Sequence, residues 1–184
     1  MDYHDIGFFE IDRVVFANEY LDLSPKELGS NHLSKRWFLV NPSIYTVLWS
    51  GSKAVGYCNI MPVRDACFNN LMSGRMSEGE ISEEDILRFN PGIACSLYIC
   101  GIAILPEYRK DARGLISLLA GVRRKFLALQ QIRCTVTSVG AVAWSDEGKR
   151  IAKLFGLHPV GVACPSGTVY RSPTGVFRNR FLNA

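Results

Sequence analysis

The run from residue 95 to 156 constrains this chain most. Cys95 to Leu105 is an apolar segment stopped by Pro106, which reads as a buried strand. Leu115, Leu119, Val122, Phe126 and Leu129 then fall on one stripe of an amphipathic helix, with Arg123, Arg124 and Lys125 off most of it. Ile132 to Ala143, rich in Val and Thr, reads as a second strand. Ser145 is placed to cap a helix whose first turn holds Asp146 and Glu147, whose apolar side has Ile151, Leu154 and Phe155, and whose end is Gly156. Strand, helix, strand, helix in this order calls for an α/β architecture, with helices packed on a sheet.

The flanks supply more strands. Ile44 to Trp49 favours extended structure, Ser50-Gly51-Ser52 turns the chain back, and Lys53 to Val63 is apolar again, so residues 44–63 read as an antiparallel hairpin. Val160–Cys164 and Thr168–Arg171 flank Pro165-Ser166-Gly167 as strands of a final hairpin. Nearer the start, Ile11, Val14, Val15 and Leu21 lie near helical spacing, and Ser24-Pro25-Lys26-Glu27 has the cap, Pro and Glu of a second helix start. Between Asp65 and Asn90 the character changes, with Glu78, Glu80, Glu83, Glu84 and Asp85 close together, and this stretch reads as an insertion or a lid-like connection. Ser82 is placed to cap a short helix with Glu83, Glu84 and Asp85 in its first turn. With 184 residues, 48% of them hydrophobic and 21% charged, and with neither linker nor repeat, one domain over 1–184 is expected.

A net charge of +4 is too mild to identify a nucleic-acid or membrane binder. It hides an asymmetry: residues 1–100 carry 8 basic and 13 acidic side chains, residues 101–184 carry 13 and 4. The second half is the better anion binder. Its basic residues gather at one turn and one helix without an interleaved aromatic platform, which argues against nucleic acid. The start, Met1-Asp2-Tyr3-His4-Asp5, lacks the layout of a secretion signal, so a cytoplasmic location is expected. Gly92 to Leu105 is too short to span a membrane. The six cysteines form no CxxC pair, the three histidines have no metal-ligand spacing, and reduced thiols without a metal are the expectation.

Chemistry concentrates where the first strand of the central run enters its helix. Such a turn brings unpaired backbone N–H groups and the positive end of a helix dipole together, which suits an anion. Here it reads Leu105-Pro106-Glu107-Tyr108-Arg109-Lys110-Asp111-Ala112-Arg113-Gly114, with small residues at 112 and 114 that let a phosphate approach the backbone. An ordinary turn with solvated basic residues is the competing reading.

Pro106-Glu107-Tyr108-Arg109, followed by Gly114 at the last position of the motif, resembles the central signature of the GNAT superfamily of acyl-CoA-dependent N-acyltransferases. Ala112 stands where that signature has its first Gly. Lys153-Leu154-Phe155-Gly156-Leu157 resembles the family's helix-ending Leu-Gly-Phe block, and the likeness covers roughly residues 44–171. The resemblance implies a mixed, mostly antiparallel sheet with helices on both faces, splayed between the strands at 97–105 and 132–143. It implies acetyl-CoA or another acyl-CoA as donor, its pyrophosphate on the turn at Arg109, Lys110, Asp111, Ala112, Arg113 and Gly114, and its pantetheine arm along the backbone of Ile102, Ala103 and Ile104. Ser145 is assigned to the same binding set.

The implied reaction is direct attack of a neutral amine on the thioester, which needs a base and an acid. The family's usual tyrosine acid is replaced by Ala152 and its usual strand glutamate by Tyr98. Neither usual residue is present; water or Tyr98 is left to relay protons, and Tyr98 ranks first among the side-chain candidates, with an ordinary core aromatic as the competing reading. Cys100 shares its face, but no His is placed locally to activate it. Glu83, Glu84 and Asp85 are placed to attract a cationic amine if they lie over the cleft. Two alternatives stand beside the N-acetyltransferase reading. One is a non-catalytic acyl-CoA-binding module. The other is a long-chain N-acyl synthase taking its acyl group from CoA or from an acidic carrier protein that meets Arg123, Arg124 and Lys125. The acceptor is a small-molecule or protein amine, and a homodimer is compatible with all three readings.

Overall fold

The computed structural model describes residues 31–110, 112–163 and 167–173. The helices expected at 10–23 and from Ser24, the tip of the last hairpin, and Asp111 lie outside the described residues. The chain enters through α1 (Asn31–Val40), stopped where Asn41 precedes Pro42; the Asn41 side chain accepts from the N–H of Ser43 at 3.1 Å and nucleates the short turn Pro42–Ile44. β1 (Tyr45–Ser50) and β2 (Lys53–Val63) form the expected hairpin. α2 (Asp65–Met72) follows, then two single 3-10 turns, Glu78–Glu80 and Glu83–Asp85, and then β3 (Ala94–Ile104). After β3 come the turn Pro106–Tyr108, α3 (Arg113–Gln131), β4 (Thr135–Ala143), α4 (Asp146–Leu154), β5 (His158–Ala163) and β6 (Gly167–Pro173).

The six strands form one sheet in the order β1-β2-β3-β4-β6-β5. Only the β3–β4 pair is parallel, because α3 makes the crossover between them, and every other pair is antiparallel. Alternation along the strands feeds two cores. On one face Leu118, Val122, Phe126 and Leu129 of α3, with Ala152 and Phe155, pack on Cys58, Ile60, Leu97, Ile99 and Val139. On the other, Cys67, Phe68, Leu71 and Met72 of α2, with Trp37 of α1, pack on Met61, Val63 and Tyr98. Among the described residues no helix is long and apolar enough to cross a membrane.

Four expectations change in detail. The stretch read as an insertion supplies the second face of the core: α2 buries four apolar side chains, and only Gly140 on β4 lets Met72 and Phe68 come so close. β4 starts three residues after Ile132, because Arg133 adopts a left-handed φ of 56° and the N–H of Cys134 returns to the carbonyl of Leu129 at 2.9 Å, closing off α3. Leu154 is 57% exposed, and Ala152 takes the buried position on α4 instead. Lys125 does not sit on a solvated basic face with Arg123 and Arg124. Its ammonium donates to the carbonyl of Ile44 at 3.0 Å, and burial lowers its pKa to about 8.

Candidate active site

β3 and β4 form a fork. They pair from Ala94↔Thr135 to Ile99↔Ala141, and there the ladder stops. β4 leaves with β6, ending at Ala143↔Thr168, while β3 stays with β2 as far as Gly56↔Ile104. The N–H of Leu105 bonds the carbonyl of Val55 at 2.9 Å, which fixes the phase of that antiparallel ladder. Residues 105, 103 and 101 turn their backbone groups toward β2, so Ile102 and Ile104 turn theirs into the fork. Ala103 lies buried between them.

Beyond the mouth of the fork lies the turn. Arg109 folds back, its Nε donating to the carbonyl of Ile104 at 2.6 Å, so its guanidinium braces the end of β3. Ala112 caps α3 in the left-handed region, φ 56° and ψ −13°, and its carbonyl accepts the first helical bond from Ile116 at 3.0 Å. Glycine takes this conformation freely, whereas alanine pays about 1 kcal/mol for it. Gly114 is required by space: a Cβ there would lie 2.7 Å from the carbonyl oxygen of Tyr108. The 19-residue α3 thus presents its first-turn N–H groups beside the fork, flanked by exposed Lys110 and Arg113. Ser145 serves as cap of α4, its Oγ accepting from Gly148 at 3.0 Å, which fixes the start of α4 just past β4.

The crotch of the fork holds a feature that sequence reasoning missed. The β2–β3 register slips between Asn59 and Ile60, so that Cys100 is the extra residue of a bulge on β3. Cys100 and Tyr98, two residues apart, face the same side of the sheet. Both meet Glu78: the Tyr98 hydroxyl donates to Oε1 at 2.5 Å and the Cys100 thiol to Oε2 at 3.3 Å. Glu78 is only 8% exposed. Burial raises its pKa to about 7, against the lowering effect of the two donors, and burial beside that carboxyl raises Tyr98 well above the ordinary phenol value. Tyr98 is itself fully enclosed, with its hydroxyl on Glu78.

The segment carrying Glu78 is firmly seated. Glu80 accepts from the N–H and the hydroxyl of Ser77, both at 2.8 Å, and Trp37 donates to the carbonyl of Ile81 at 3.0 Å. Further along, Ser82 and Asp85 close a similar turn, and Glu83 pairs with Arg36. The acidic group that reaches the fork is Glu78, while Glu83 and Asp85 are engaged in structure. Asn59 completes the set. It stands opposite Gly101, is buried, and its Oδ1 has no hydrogen-bond partner, an uncommon state that costs about 1–3 kcal/mol unless a ligand donates to it. A single Asn in the apolar run of β2 was a visible signal for it; five acidic residues in one loop left Glu78 indistinguishable from its neighbours.

No protein-family profile and no curated protein matches the sequence. Solved structures do. The PaiA N-acetyltransferase from Thermoplasma acidophilum, in complex with coenzyme A, superposes with a TM-score of 0.56 at 13% identity, covering 94% of this chain and 95% of that one. The fold is GNAT-like. The loading GNATL domain of CurA from Lyngbya majuscula gives 0.57 at 13% identity over 98% and 96% of the two chains. PH1933 from Pyrococcus horikoshii OT3 gives 0.59 at 9% identity over 94% and 92%. At such identities the GNAT-like backbone is what is shared.

Proposed function

We propose that this chain transfers an acyl group from an acyl-CoA thioester to an amine. The observation that carries the reading is the fork itself, with the edge groups of Ile102 and the N–H of Ile104 aimed into it and the first turn of a long helix at its mouth. The residues fit such a donor. The strand edge suits the amides of an extended pantetheine arm, in the way an added strand pairs. The first-turn amides of α3, with Lys110, Arg113 and the close approach that Gly114 permits, suit a pyrophosphate. Asn59 offers a buried acceptor that a bound N–H would satisfy. The donor supplies an activated carbonyl, and the strand edge holds that carbonyl beside Cys100 and Glu78.

Glu78 takes the proton that the attacking nucleophile gives up and returns it to the departing sulfur. A carboxyl near neutrality is suited to both tasks, because the ideal relay titrates close to working pH. Tyr98 fixes the rotamer of Glu78. The bond that breaks is the thioester carbon–sulfur bond, and the bond that forms overall is an amide, with one thiol released per turnover. Stabilisation of the protein by acetyl-CoA against heating, together with thiol release on adding primary amines, supports the reading. Binding without release across a broad amine panel would make the chain a non-catalytic acyl-CoA-binding module. Failure to bind would overturn the assignment.

A further inference from the structure

We propose that Cys100 is acylated in the course of transfer, so that the acyl group passes through the protein before it reaches the amine. The inference rests on the acyl-CoA reading above and replaces direct attack with two successive displacements. Four observations meet at one residue. Cys100 is the first residue of β3 past the last β3–β4 pair, so it lies at the crotch where the strands part. It is the extra residue of the bulge where the β2–β3 register shifts. Its thiol already points at a buried carboxylate oxygen, Oε2 of Glu78, at 3.3 Å. Beside it Asn59, opposite Gly101, holds a buried acceptor without a partner, which a bound molecule would satisfy.

The other described cysteines lack this setting. Cys58, Cys67, Cys95 and Cys134 are all buried, and Cys95 and Cys134 face each other at 3.8 Å; Cys100 alone is half-buried. Gly101 next to it adds no side chain to block approach, since even a Cβ there would meet only the Tyr57 ring, at 3.9 Å. A nucleophile, a base in contact with it, and a third group orienting the base make the arrangement that activated nucleophiles share. Here Sγ, Glu78 and Tyr98 fill those places.

The steps balance. The Cys100 thiol proton passes to Glu78, Sγ bonds to the thioester carbonyl carbon, the carbon–sulfur bond to CoA breaks, and the proton on Glu78 goes to the departing sulfur. An amine nitrogen then bonds to the same carbon, the bond to Sγ breaks, and the proton lost by nitrogen returns by way of Glu78 to Sγ. One thioester is exchanged for another in the first half, so excess donor suffices to load the protein.

The test is intact-mass and peptide analysis of the full chain after incubation with acetyl-CoA and no amine, with CoA-induced thermal stabilisation measured in parallel. The expected result is one acetyl group on Cys100, removed by neutral hydroxylamine as a thioester is, with free thiol released before any amine is added. Glu78→Gln slows that labelling at least tenfold, and Cys100→Ala abolishes it. If CoA stabilises the protein but neither label nor amine-independent thiol release appears, the inference is overturned and the acyl-CoA reading survives. If CoA does not stabilise the protein, the reading falls and takes the inference with it.

Discussion

β3 and β4 are one pair of strands with two ends built on opposite terms. From Ala94 to Ile99 the pair is closed: Leu97 and Tyr98 are fully enclosed, Ser96 reaches Asp65 at 3.0 Å and Thr137 at 3.2 Å, and the strands stay paired across a single register shift between Cys95 and Ser96. From Cys100 onward the same strands part, and every irregular feature of the site gathers there. These are a bulge, a buried acid, an acceptor without a partner, and an alanine in a left-handed cap. The closed end supplies the stability from which the open end's costs are met, a division expected where strain and unsatisfied groups serve binding.

Substitutions at the two ends should therefore separate activity from stability. The largest effect is expected at the crotch. Glu78→Gln should lower kcat by about 10²–10⁴-fold, the usual worth of a proton-transferring group. It should also raise the melting temperature at pH 8. The ordinary value of 4.5 rises to about 7 in the fold, so the folded protein keeps a proton that the unfolded chain loses between those values. The contribution of Glu78 to stability is thus greatest below about pH 4.5 and falls as pH rises to about 7, by on the order of 3 kcal/mol. The wild-type rate should show the opposite trend, rising through about pH 7 as the carboxyl ionises.

At the closed end, Leu97→Ala should cost about 2–5 kcal/mol in denaturant unfolding, as a fully buried leucine does. CoA affinity of the folded protein should stay unchanged. Gly114→Ala works the other way. Its Cβ must push the carbonyl of Tyr108 aside, so CoA binding by calorimetry should weaken about tenfold, a loss of roughly 1.4 kcal/mol. Ala112→Gly is the smallest change. Relief of the left-handed strain should gain about 0.5–1 kcal/mol in thermal unfolding.

The closed end was legible in the sequence and the open end only in outline. Period and capping signals placed β3, α3, β4 and α4 because burial on one face writes a pattern into the chain, as with Val122, Phe126 and Leu129; at the start of α3 the buried residue is Leu118, with Leu115 and Leu119 only partly covered. The turn after Pro106 was legible for the same reason, since Gly114 is fixed by local backbone contact. Glu78 was not, because its role depends on α1 and β2 holding a distant loop against the sheet through Trp37 and the Val63–Ile86 bridge. Nor was the bulge at Cys100, since one residue slipped against a partner strand leaves no mark on its own strand's composition. Ala112 looked like a departure from the glycine of the motif, yet it adopts the conformation that glycine would.

If CoA lies in the fork, an amide chemical-shift titration of the full chain with CoA will move Ile102, Ile104 and Gly114 and leave Ala94 to Leu97 in place. Shifts confined to the closed end, or none at millimolar CoA, would mean that the fork is not where CoA binds.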